Sequence, residues 1–418
     1  MRTGRFTAQA ALVAATLITG AAVAAPGAAA AQPGPAARAR SAASASQAAL
    51  WGQVDHWGAF FGDQLVSHRN LTLLPAGLTF PDFAPVQQVG SSNSTQYALL
   101  TDGTLWAWGQ GTRGQLGDGS TASSFTAPVR VRFPSGVRIA YLATDAMPYD
   151  TALAVDTNGH AWGWGMNKAG ELCLGTTSMY TRPQELPLSA PVTSLAGASG
   201  HAVYDAAGHV VSCGNDDGGV LGDGSRRNVP HHTPVPVQGL GRQPVAALVS
   251  AFDNAGALLA NGKYYDWGFN TSGQLGDGTL TSSNVPVLVP LPHMVTQVAQ
   301  GGSAPTNGQT LVQLSDGTFW SWGNDTWSQL GDQGLGLGMG MQRSPVRFFP
   351  PNGVTYATLA SGGGTSYGIS ATGAVYAWGA GFAGQIGDGG KATAVTPVRV
   401  DSGAGTISAT AQDVVVGP

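Results

Sequence analysis

The sequence predicts an all-β chain, a seven-bladed β-propeller of four-stranded antiparallel blades, and three regularities carry that prediction. An anchor recurs as Trp57, Trp108, Trp164, Trp267, Trp322 and Trp378, with Cys213 holding the same place in one copy, at steps of 49 to 56 residues. A glycine stands five residues before each anchor: Gly52, Gly103, Gly159, Gly208, Gly262, Gly317 and Gly373. A Leu or Ile stands eight residues after it: Leu65, Leu116, Leu172, Leu221, Leu275, Leu330 and Ile386. Two fixed offsets at this period indicate propeller blades, not the shorter leucine-rich or ankyrin units.

The first blade begins at Ala49 and has only Ala49 to Gly52 ahead of its returning strand, so it lacks the early strands of the other copies. The tail from Thr406 to Val416 resembles those missing strands. It is expected to complete the first blade and close the ring, which removes the exposed edges of an open array. The second blade shows the unit most fully. Val86 to Val89 alternates as a strand, Gln96 to Thr101 makes a second, Asp102–Gly103 turns, Thr104 to Trp108 returns, and Val129 to Val131 follows a proline.

The later blades repeat this with Asn158–Gly159 and Trp164, Gly208 and Cys213, Asn261–Gly262 and Trp267, Asp316–Gly317 and Trp322, and Thr372–Gly373 and Trp378. Tight turns of the Asp-Gly type need positive φ, which explains the fixed glycine. The prolines at 75, 128, 183, 234, 286, 345 and 397 are expected just ahead of each last strand, where no ladder bond is lost.

Composition agrees. Gly is 62 of 418 residues, Pro is 25, and charged residues are 10%, against roughly a quarter in an average soluble domain. Such a chain suits short strands and tight turns. Arg2 and Arg5, the apolar run from Ala8 to Val23 and the small residues Ala29 to Ala31 predict a signal peptide over 1–31, with Ala25 as the rival cleavage site and a membrane anchor as the alternative for the run. Residues 32–48, rich in Ala, Ser and Pro, read as a flexible linker, and 49–418 as the propeller. A secreted, extracellular protein follows, with no membrane span once the signal is removed.

Removing Arg2 and Arg5 from the 19 basic residues leaves 17 against 23 acidic, a net charge of −6, which argues against a nucleic-acid partner. Cys173 and Cys213 are the only cysteines. In an oxidising compartment they can form one disulfide or remain two small buried thiols, and sequence does not choose.

The unit W-G-x-N-x-x-G-Q-L-G-D-G with its preceding D-G turn, clearest at Trp267–Gly278 and Trp108–Gly119, resembles the regulator-of-chromosome-condensation repeat family. The resemblance covers residues 49–418 and implies a seven-bladed propeller. Asp63, Leu174, Cys213 and Val220 depart from the motif. Secreted bacterial propellers similar to this family include inhibitors that cap a β-lactamase with one face. Its nuclear members exchange nucleotide on a small GTPase, an activity that export and negative charge argue against here.

No catalytic constellation, phosphate loop or metal-ligand spacing stands out, and neither cofactor nor metal is expected. Asp118, Asp223, Asp277, Asp332 and Asp388 recur once per blade beside glycine, as turn residues that accept from backbone N–H groups would. His231 and His232 read as part of a solvated basic loop. The variable positions in the loop after each anchor would gather on one rim of a closed ring: Phe61, Arg113, Met166, Lys168, Asp217, Phe269, Trp327 and Phe382. That mixture of aromatic and charged side chains suits a partner-binding surface. The alternative is that Phe269, Trp327 and Phe382 fold back to cover their own blades. The Gly-, Leu- and Met-rich run 333–341 offers a second surface or a disordered excursion.

The sequence thus points to a secreted, monomeric, non-catalytic propeller that binds a protein or glycan through one loop face. The alternatives are a carbohydrate-active enzyme using a propeller face, an inhibitor of a secreted or envelope enzyme, and a surface component with no specific ligand.

Overall fold

A computed structural model describes residues 55–58, 68–73, 84–92, 94–143, 150–198, 200–225, 229–332, 340–388, 390–402, 404–409 and 413–417. The expectations placed on 1–54, Phe61, Asp63, Leu65, Pro75 and most of 333–341 lie outside these residues.

The described chain is a β-propeller. Six blades are each drawn from one continuous segment, with four antiparallel strands in sequence order. They comprise β3 (Val86–Ser91), β4 (Thr95–Leu100), β5 (Leu105–Gly109) and β6 (Ser124–Arg130); β7 (Ile139–Leu142), β8 (Thr151–Asp156), β9 (Ala161–Gly165) and β10 (Tyr180–Glu185); and β11 (Val192–Ala198), β12 (His201–Ala206), β13 (His209–Gly214) and β14 (His231–Pro236). Next come β15 (Val245–Ala251), β16 (Asn254–Leu259), β17 (Tyr264–Gly268) and β18 (Ser283–Leu288); β19 (Val295–Gly301), β20 (Gln309–Leu314), β21 (Phe319–Asn324) and β22 (Met341–Phe348); and β23 (Tyr356–Ser361), β24 (Thr365–Ser370), β25 (Ala374–Gly379) and β26 (Ala394–Ser402).

Where the repeat predicts seven like blades, the structure has these six and one composite sheet. In it β1 (Asp55–Gly58) and β2 (His68–Leu73) join β27 (Thr406–Ala409) and β28 (Asp413–Gly417) in the order β2-β1-β28-β27. Trp57 is in register with Val414, so the tail lends the first anchor its neighbouring strand. β27 packs against β23 on one side and β3 on the other, linking the last continuous blade to the first.

Among the described residues the prolines at 128, 183, 234, 286, 345 and 397 do not precede the outer strands as expected but lie inside them. In β6, Gly109 faces Ser124 and Ala107 faces Val129, so the outer strand bulges across the segment that contains Pro128. The same break recurs in β10, β14, β18, β22 and β26. A proline on the outermost strand removes an N–H that no further strand would accept, and the bulge absorbs the ring.

Anchors and +8 residues make the core between blades. Trp164, Trp267, Trp322 and Trp378 are fully buried, as are Leu116, Leu172, Leu221, Leu275, Leu330 and Ile386. Each of those indoles also donates a hydrogen bond to the preceding blade: Trp164 Nε1 to Gln115 O at 2.9 Å, Trp267 to Val220 O at 2.8 Å, Trp322 to Gln274 O and Trp378 to Gln329 O, both at 2.9 Å. The anchor is therefore a fastener between blades. Cys173 and Cys213, both buried, are joined by a disulfide with their Cα atoms 5.4 Å apart.

Candidate interaction surface

The antiparallel order sends the loops after β5, β9, β13, β17, β21 and β25 to one face, and the glycine turns and blade-to-blade connections to the other. The first face carries the described rim positions.

Its loops are built alike. The residue three beyond the anchor accepts from the backbone N–H of the +8 residue: Asn167 Oδ1 from Leu172 at 2.9 Å, Asp216 from Leu221 at 3.2 Å, Asn270 from Leu275 at 3.0 Å and Asp325 from Leu330 at 3.1 Å. The motif glutamine turns back to the N–H two residues earlier, as Gln115 does for Arg113, Gln274 for Ser272, Gln329 for Trp327 and Gln385 for Ala383, each at about 2.8–2.9 Å. Asp118, Asp223, Asp277 and Asp388 each accept from the N–H two residues on, at 2.7–2.9 Å. Those carboxylates are consumed by turns, and among the described residues no three His, Cys, Asp or Glu could together hold a metal ion.

On this rigid lattice the variable residues fall into two groups. Trp327 and Phe382, from adjacent blades, form an aromatic pair with centroids 5.8 Å apart. Trp327 is half-buried over Gly364, where a Cβ would stand 2.8 Å from its ring, while Phe382 is 48% exposed. Phe269 is half-buried and lies on Gly218 of the preceding blade, within the short 3-10 turn Asp217–Gly219. Two of the aromatics thus cover neighbouring loops rather than their own blades, and one faces solvent.

The second group is polar. Met166 and Lys168 line a cavity of about 340 Å³ with Ala169, Glu171, Asn215 and Pro230. Glu171 takes the place of the motif glutamine, accepts from Ala169 N at 3.0 Å and Thr151 Oγ1 at 3.1 Å, and has its pKa raised by burial. Exposed Asp217 is hydrogen-bonded by Asn215. Burial, reinforced by the charge of Asp217, pushes the Asp253 carboxyl up to about 7. Arg113 is tied to the buried Asp150 at 2.8 Å, and Asp150 also accepts from Ser94 Oγ at 2.5 Å.

His231 and His232 do not sit in a loop: they open β14, and His231 Nε2 lies 3.6 Å from Asp223. Sequence reasoning missed the motif glutamines and Asp150 as organisers. Their recurrence beside the anchors was visible for the glutamines, but Asp150 has no counterpart in the repeat.

The fold defines a class, the β-propeller whose blades are fastened through a repeated Trp loop. Residues 102–144 and 261–304 match the regulator of chromosome condensation (RCC1) repeat, so the chain carries RCC1-type repeats at those two places. It is 28% identical over 291 residues to the ultraviolet-B receptor UVR8 of Arabidopsis thaliana, an alignment covering 68% of this chain and 62% of the receptor. It is 27% identical over 294 residues to the E3 ubiquitin-protein ligase HERC2 of Homo sapiens, covering 69% of this chain and 6% of the ligase. The chain therefore spans less than two thirds of either relative. Among solved structures, Prp20p from Saccharomyces cerevisiae has the same fold, with a TM-score of 0.73 at 21% identity over 89% of this chain and 94% of that one.

Proposed function

We propose that the chain is a secreted, monomeric interaction propeller, seven-bladed when the composite sheet is counted, which grips a protein partner through the loop face and performs no chemistry itself. The observation that carries this reading is the Trp327–Phe382 pair, an aromatic surface held at a blade junction with one ring open to solvent. Aromatic side chains seated in a rigid frame lose little conformational entropy on binding and dominate interface energetics. Relatives lend support in kind: Prp20p has been solved bound to Kap60, and its binding to Gsp1p and histones described.

The deciding experiment is affinity capture from culture supernatant and envelope fractions with the mature chain and with Trp327→Ala/Phe382→Ala. One protein recovered by the parent and lost by a variant of unchanged thermal unfolding supports the reading; equal recovery by both sinks it. Peptide sequencing of exported material tests the secretion proposal, which expects a mature terminus at Gln32.

A further inference from the structure

A groove of about 650 Å³ lies between the outer strands β6 and β10, on the flank where the connection between the second and third blades runs. Its lining contains four arginines, Arg130, Arg132, Arg138 and Arg182, and no carboxylate. All four are exposed. In a chain with only 19 basic residues and a net negative charge, that concentration is local and specific.

The repeat supplies its own control. Arg138 immediately precedes the innermost strand of its blade, where the corresponding residues are Pro85, Pro191, Pro244, Met294 and Thr355. Arg182 precedes the outer-strand proline, where the others are Ala127, Thr233, Val285, Ser344 and Thr396. Neither position needs a cation for the blade to fold.

Nearby acids are engaged elsewhere. Asp102 accepts from Thr104, Asp118 from Ser120, and Asp156 from Asn158, His160 and Trp162, while Glu185 lies 3.8 Å from His160. The one arginine ion-paired among the described residues is Arg113, outside the groove.

The stem of Arg138 and the guanidinium of Arg182 are each seated on a glycine. A Cβ at Gly103 would stand 2.9 Å from Arg138 Cβ, and one at Gly119 would stand 2.6 Å from Arg182 Nε. Part of the lining is apolar. Phe133, half-buried, packs edge-to-face on Trp162 and Trp164, with centroids 5.7 and 5.6 Å away, and Pro134 and Pro183 flank it.

We infer that this groove binds an acidic oligosaccharide. Guanidinium groups can donate paired hydrogen bonds to the two oxygens of a uronate carboxylate or to two of the oxygens of a sulfate ester. The ring and proline surfaces suit the C–H faces of sugar rings, which a bare phosphate chain does not have, and the volume is that of a small-ligand site, far larger than one oxyanion. The groove opens on the outer flank, apart from the loops that carry Trp327 and Phe382, so the inference stands independently of the protein-partner reading.

Titration calorimetry at physiological salt tests it with four ligands: hexagalacturonate, a sulfated hexasaccharide, neutral maltohexaose and inorganic tripolyphosphate. Saturable one-to-one binding of at least one acidic hexasaccharide, reduced at least tenfold in Arg138→Gln/Arg182→Gln, is expected, and which of the two binds separates carboxylate from sulfate recognition. Arg347→Gln/Arg399→Gln, which removes the same charge from β22 and β26, should bind as the parent does. The inference is overturned if neither acidic sugar binds, if the two double variants weaken binding equally, if Arg138→Gln/Arg182→Gln binds like the parent, or if maltohexaose or tripolyphosphate binds as tightly as the acidic sugars.

Discussion

The Cys173–Cys213 disulfide occupies the place that a glycine and a tryptophan hold at four other blade junctions. In the pairs Gly117–Trp164, Gly222–Trp267, Gly276–Trp322 and Gly331–Trp378, a Cβ on the glycine would stand 2.7–2.8 Å from the indole nitrogen. Cys173 keeps the backbone shape of the glycine it replaces, with φ at 58° against 64° to 70° in those four. Without an indole at 213, the carbonyl of Glu171 would lose its donor, and Tyr204 Oη supplies one from the neighbouring strand at 3.0 Å. A covalent bond and a tyrosine together replace one tryptophan.

Closing a loop of 40 residues restricts the unfolded chain by about 4 kcal/mol at room temperature on the chain-entropy account. Reduction, or Cys173→Ser/Cys213→Ser, should therefore lower unfolding stability by about 2–4 kcal/mol in urea titrations. Cys173→Gly/Cys213→Trp should recover part of that loss and make stability indifferent to reductant. Identical curves for the oxidised and reduced parent would refute the fastening role.

Trp267 separates packing from hydrogen bonding. Trp267→Phe keeps much of the buried ring but strands the Val220 carbonyl, and should cost about 1–3 kcal/mol. Trp267→Ala also opens a cavity and should cost about 3–5 kcal/mol. Chemical denaturation of the two variants side by side checks this, and a Trp267→Phe cost near zero would show that the indole N–H contributes nothing.

Asp216 and Asp325 predict a pH dependence. Burial raises both to about 6, above the ordinary carboxylate value of about 3.9, so the folded chain holds these protons more tightly than the unfolded chain does. Their contribution is fully present below about pH 4 and is lost as pH rises through about 6. Asn167 and Asn270 show that an amide serves in the same position. Asp216→Asn/Asp325→Asn should match the parent near pH 4 and exceed its urea midpoint at pH 8. A constant difference between parent and variant across that range would show that neither carboxyl is shifted upward.

Ser328 has φ of 60° where the corresponding residues are Gly114, Gly170, Gly219, Gly273 and Gly384, with φ from 74° to 86°. A left-handed conformation costs a side-chain-bearing residue roughly 1–2 kcal/mol, partly offset by the greater unfolded-state freedom of glycine. Ser328→Gly should therefore raise stability by up to about 1 kcal/mol. A lower melting temperature in calorimetry would mean that the hydroxyl provides a compensating contact.

The sequence by itself determined the blade, because each blade is local. Anchor, turn glycine and +8 residue lie within 14 consecutive residues, and the strands they join are neighbours along the chain. Period-two patterning and positive-φ turns follow from backbone sterics that any short window displays. The placement of the outer-strand prolines escaped it, since a bulge depends on how one strand registers against the next and not on the strand's own composition.

Tertiary structure alone decided everything that crosses between blades. Residues about 50 positions apart have no sequence pattern that brings Trp267 Nε1 to the Val220 carbonyl, Arg182 to Gly119, or Trp327 to Phe382. The rim residues could be assigned to equivalent loops, yet whether each faces solvent or a neighbour depends on what the adjacent blade presents, such as Gly218 beneath Phe269. The arginine groove was illegible for the same reason: its charges come from two blades, and only their packing side by side makes a single surface of them.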